Sequence, residues 1–170
     1  STNGHESAKH WDAIERVTVR GYRMVAYLGE KQPKNLFGTR FSVPFSLATI
    51  IVHGRDDLDV FGARAFANRD VLNLAARVDV SEVAEFTAEF HARQIVELDI
   101  ECRNGTHLRG RCEVTRGEPG NPHAPADIER KFHQLAVPAW GERAARDVYA
   151  ACMDVDKQAD MREFCAGIAL

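Results

Sequence analysis

Apolar and polar positions alternate over residues 14–22, where Val17 and Val19 sit between Arg16, Thr18 and Arg20. A period of two predicts a half-buried strand. Residues 23–34 carry no such period, and Gly29, Pro33 and the following Gly38 predict a loop-rich stretch. Over residues 42–52 apolar side chains fall on nearly every side of a helix, so that helix is expected to be central and buried. Pro44 suits its first turn, where a missing N–H costs nothing, and Gly54 suits its end. Residues 57–66 read as a short helical segment. A second helix runs from Asn68 or Arg69 to Ala76, with Val71, Leu72 and Ala75 on one side. Ala76, Val78 and Val80 then alternate with Arg77 and Asp79 and predict a second strand, followed over residues 81–90 by a polar connection without a clear period.

The strongest local signal is a hairpin. Val96, Leu98, Ile100 and Cys102 alternate with Glu97, Asp99 and Glu101; after Asn104-Gly105, Thr106, Leu108, Gly110 and Cys112 alternate with His107, Arg109 and Arg111. A two-residue turn would set Ile100 against Arg109 and put charge on the core face. A three-residue loop, Arg103-Asn104-Gly105, sets Ile100 against Leu108, Val96 against Cys112, Asp99 against Arg109 and Glu97 against Arg111. A slip of one residue turns a whole face over, so the second register is predicted. Gly105 then supplies the positive φ of a bulged loop, and Cys102 and Cys112 lie too far apart to bridge.

Residues 117–122 form a turn-rich loop. Residues 125–136 predict an amphipathic helix carrying Ile128, Phe132 and Leu135, and residues 142–168 one or two more, with stripes of Val148, Cys152 and Val155 and of Met161, Phe164 and Cys165. Strand, buried helix, small helices, strand, hairpin and helices in that order predict an α+β fold: about four strands, mainly antiparallel, with helices packed on one face.

At 170 residues, 45% apolar and 28% charged, the chain fits one soluble globular domain covering residues 1–170. A net charge of -3 argues against nucleic acid as partner, since phosphate binding calls for a concentrated basic surface. The longest apolar run, over residues 43–52, is interrupted by Pro44, Ser46 and Thr49, so no membrane span is expected. Cys102, Cys112, Cys152 and Cys165 show no CxxC spacing and read as reduced, mostly buried thiols of a cytoplasmic protein. The first residue is Ser1, not Met, which is read as the mark of an upstream segment.

Several blocks together resemble the C-terminal domain of the MmgE/PrpD family. They are Ile14-Glu15-Arg16-Val17-Thr18-Val19-Arg20; the segment from Thr39 through Arg40, Phe41, Ser42, Val43, Pro44 and Phe45 to Ala48, closed by Gly54; Asp70-Val71 through Leu74-Ala75-Ala76-Arg77-Val78; the hairpin with its Asn-Gly, where the family commonly has Asp-Gly; and the loop over 117–122 with Ile128, Lys131, Phe132 and Leu135. The resemblance spans about residues 3–140. It implies chemistry on small polycarboxylates without metal or cofactor, by a dehydratase (carbon–oxygen lyase), decarboxylase or epimerase. The family includes 2-methylcitrate dehydratase, cis-aconitate decarboxylase and iminodisuccinate epimerase. It also implies a larger all-helical N-terminal domain that shares the active site and much of a dimer contact. No segment here is long enough to be that domain, so the chain is expected to be half of a site, inactive alone, and to form homo-oligomers.

Four residues carry over. His5, in Asn3-Gly4-His5, matches a segment whose histidine lies in the site of the decarboxylase branch, and an imidazole suits proton transfer near neutral pH. Its other reading is a loosely held terminal residue. Arg40 and Ser42, at the start of the buried helix, can hold a substrate carboxylate, or they are a solvated arginine and a capping serine. Phe45 stands where many members have Tyr and lacks the hydroxyl that could donate a proton, which favours a core aromatic. The competing function is a stand-alone, non-catalytic module for ligand binding or oligomerisation.

Overall fold

The computed structural model describes residues 10–56, 58–62 and 66–168. They form two units, one ending at Thr115 and the other beginning at Arg116.

The first unit is built on strand β1 (Ile14–Gly21), which pairs on both sides. β2 (Val78–Glu82) joins it in parallel, and β3 (Val96–Cys102) joins it antiparallel; β4 (His107–Cys112) completes the order β2-β1-β3-β4. The fold is therefore α+β, with a mainly antiparallel four-stranded sheet. The hairpin has the predicted register: Ile100 opposes Leu108, Asp99 opposes Arg109, and Glu97 opposes Arg111. Gly105 has φ of 80°, as the three-residue loop requires.

Register sorts the sheet into two faces. Val17 aligns with Val78 and Ile100, and Val19 with Val80 and Leu98, forming apolar rows. Helices α3 (Val43–His53) and α4 (Arg69–Ala75) pack on this face, and Phe45, Ala48, Val71, Leu74 and Ala75 join Trp11, Ile14, Val17, Val19 and Val78 in one buried cluster. Ser42 caps α3, and Gly54 closes it at φ 66°, a conformation open to glycine without strain.

The other face is ionic. Glu97 accepts from Arg20 at 2.7 Å and from Arg111 at 2.5 Å, and Asp99 pairs with His107 at 2.9 Å and Arg109 at 2.8 Å. Hydrogen bonds from His107 and then Arg109 hold the Asp99 carboxyl below its ordinary range. Arg109 and Arg111 of β4 are thus matched by the acidic residues of β3.

Some expectations need correction. Residues 23–34 contain a helix, α1 (Arg23–Tyr27), and residues 81–90 contain another, α5 (Ala84–Glu89). Neither completes two turns, so neither generates a readable period, and neither has a side-chain cap. Within 57–66 the structure describes one 3-10 turn, Leu58–Phe61, while residues 57 and 63–65 lie outside the described set. The cysteines are free, as expected, but only Cys102 is half-buried; Cys112, Cys152 and Cys165 are exposed. Cys112 sits on the edge strand β4, whose Leu108 is also exposed.

The second unit holds α6 (Pro125–Met153), interrupted at Gly141, where φ 81° and ψ 160° break the helix. Phe132 and Tyr149 have ring centroids 5.3 Å apart. Seventeen residues of straight helix would separate them by about 25 Å, so the two arms fold back on each other around the buried Ala136, Ala145 and Val148. A 3-10 turn (Val155–Lys157) leads to α7 (Met161–Gly167), capped by Asp160.

Candidate functional site

The sequence pointed to the start of α3. Immediately before it stands α2 (Leu36–Thr39), a single turn capped by the Asn35 side chain, which accepts from Gly38 N–H at 2.8 Å. Thr39, almost fully buried, donates its hydroxyl to Leu36 C=O at 2.6 Å. That anchor turns the rest of α2 outward. Phe37 is 70% exposed, Phe41 is 52% exposed, and their rings stand 5.1 Å apart. Arg40, three residues after Phe37, is exposed and has no ion-pair partner among the described residues.

Ser42 and Phe45 differ from Arg40 entirely. The Ser42 hydroxyl donates to the Glu30 carbonyl and accepts from Phe45 N–H at 3.0 Å. Phe45 is fully buried in the core cluster. Val43 N–H donates to Leu28 C=O at 2.8 Å, Pro44 has no N–H, and Ser46 N–H donates to Ser42 C=O at 3.0 Å. The whole first turn of donors is thus spent within the chain. A carboxylate arriving here would meet the Arg40 guanidinium and the Phe37 and Phe41 rings, not helix N–H groups.

His5 lies outside the described residues. Arg40, Ser42 and Phe45 are brought together by sequence neighbourhood, with Arg40 facing solvent and the other two facing inward. Phe37 and Phe41 were missed in the sequence. Their signal was a pair of aromatics four residues apart beside a cation, between the loop-rich stretch over 23–34 and the buried helix from Ser42.

Among the described residues no group of three or more His, Cys, Asp or Glu side chains is placed to hold a metal ion. Among them, too, no helix is long and apolar enough to cross a membrane.

The family model of the MmgE/PrpD C-terminal domain matches residues 3–155. The chain belongs to the MmgE/PrpD family, as its C-terminal domain. That match takes in the whole sheet, the α3 start and both arms of α6. No curated protein matches the chain.

Proposed function

We propose that this MmgE/PrpD domain contributes one half of a site for small polycarboxylates, and that chemistry there requires a helical partner domain. The observation that carries the reading is Arg40: an exposed guanidinium without an ion-pair partner among the described residues, flanked in sequence by the exposed, mutually packed Phe37 and Phe41 just before a buried helix. An unneutralised arginine is suited to grip a carboxylate through two parallel hydrogen bonds. Exposed paired aromatics are what a domain shows where another surface is meant to cover it. Ser42 and Phe45 serve by fixing the helix start that carries Arg40. His5 is the proposed proton carrier, and removal of water, loss of CO2 or inversion would begin with proton abstraction beside a carboxylate.

One observation favours the second reading, a non-catalytic binding or oligomerisation module. Phe45 has no hydroxyl and Ser42 has already committed its own, so among the described residues the α3 start offers no proton donor besides cations. Assays with 2-methylcitrate, cis-aconitate and iminodisuccinate separate the two. The half-site reading expects no turnover from the chain alone, turnover once a helical MmgE/PrpD domain is added, and loss of that turnover in Arg40→Gln. Turnover by the chain alone would overturn it, and tight binding without turnover in the assembled pair would establish the module.

A further inference from the structure

A second feature of the first unit shares no residue with the α3 start. A pocket of about 210 Å3 opens between the start of α1 and the end of α5, lined by Tyr22, Arg23, Met24, Thr87, Phe90 and His91. Tyr22 and Phe90 form its aromatic wall, with ring centroids 4.5 Å apart. Arg23 is held in place twice over. Its backbone N–H donates to Thr87 Oγ1 at 2.9 Å, and its Nε donates to Glu82 Oε1 at 3.2 Å. Thr87 donates to that same carboxylate oxygen at 2.8 Å, closing a ring of three residues. Among the described residues neither Nη of Arg23 has a partner, and the same holds for the Tyr22 hydroxyl and the His91 nitrogens.

We propose that this pocket binds a small monocarboxylic acid with a ring-sized apolar body. A guanidinium fixed through Nε leaves its two Nη groups as a preset fork for one carboxylate. Arg23 is the lining's one permanent cation and Glu82 already offsets part of its charge, so the pocket offers a fork for one carboxylate and no partner for a second. The aromatic wall and Met24 suit an apolar body. Size agrees, because a cavity of about 150 Å3 takes one benzene, and the remainder fits a carboxylate. This site is independent of the polycarboxylate reading, since none of its residues belongs to the α3 start.

The test is a titration of the whole chain with benzoate, followed by amide NMR shifts, with benzamide as the uncharged match. Benzoate should shift the amides of Tyr22, Arg23, Thr87 and Phe90 to saturation, with benzamide and citrate each binding about tenfold more weakly. Arg23→Gln should weaken benzoate about tenfold. Met24→Glu, which sets a negative charge at the exposed rim without touching the Arg23–Thr87–Glu82 ring, should abolish its shifts. Shifts that fail to saturate or fall elsewhere, benzamide or citrate binding as tightly as benzoate, or unchanged binding in Met24→Glu would each overturn the proposal.

Discussion

Phe45 follows Arg40 by five positions, yet the fold treats the two as opposites. At the start of α3 the Ser42 hydroxyl and the backbone N–H groups of Val43, Phe45 and Ser46 all have partners inside the chain, and Pro44 and Phe45 are buried. One turn earlier, Phe37, Arg40 and Phe41 face solvent, and the core does not call on them. The two segments share a backbone and a family motif, but only the outer one holds interactions in reserve. Residues that a fold has already committed cannot serve a ligand without loosening the fold, so recognition is expected at the uncommitted ones.

That contrast makes graded predictions. Phe45→Ala should cost about 3–5 kcal/mol in urea unfolding, the range for deleting a buried ring; a loss below about 1 kcal/mol would mean that the inner segment is not committed at all. Ser42→Ala should cost about 1–2 kcal/mol, because it removes the cap and leaves Phe45 N–H without its acceptor. The double variant Phe37→Ala, Phe41→Ala and the single variant Arg40→Gln should each stay within about 0.5 kcal/mol of the parent, while both abolish productive assembly with a helical domain. A large stability loss in either would erase the contrast.

The ionic face supplies the smallest effect. Asp99 titrates below its ordinary range in the folded chain, so its contribution is present above the unfolded carboxylate value, about 3.9, and is lost as pH falls through the lower native one. Asp99→Asn should therefore lower the melting temperature slightly at neutral pH, where the ionised carboxylate is fully at work, and converge on the parent in acid, so that its fall of stability below about pH 4 is flatter. An acid limb as steep as the parent's would show that the Asp99 cluster is ornamental to stability.

Much of this fold was readable in the residues, for identifiable reasons. The hairpin register followed from charge: only one alignment puts Glu97 opposite Arg111 and Asp99 opposite Arg109. The buried helix announced itself by a capping serine, a first-turn proline and a closing glycine. The helices α1 and α5 were unreadable because five or six residues are too few to show a period and their packing is set by distant strands. The parallel partnership of β1 with β2 was likewise hidden, since it depends on how the intervening helices carry the chain back. At the site, the family resemblance pointed to Arg40, Ser42 and Phe45, but no pattern could say that the serine hydroxyl would donate to the Glu30 backbone carbonyl or that the arginine alone would face outward. That partition is set by where α2 ends, a matter of one buried threonine hydroxyl.

The strand order has a consequence for synthesis. β1 sits between β2 and β3, and its Val17 waits for Val78 on one side and Ile100 on the other. At translation rates of about 5–20 residues per second, roughly 80 residues take about 4–17 s to follow. Until Val78 follows, about 60 residues on, both edges of an apolar strand are open to any neighbouring nascent chain, and the β3 edge stays open to the end of the interval. The alternating Arg16, Thr18 and Arg20 that later face the ionic side of the sheet are then its gatekeepers, keeping one side of the ribbon wet until its partners arrive.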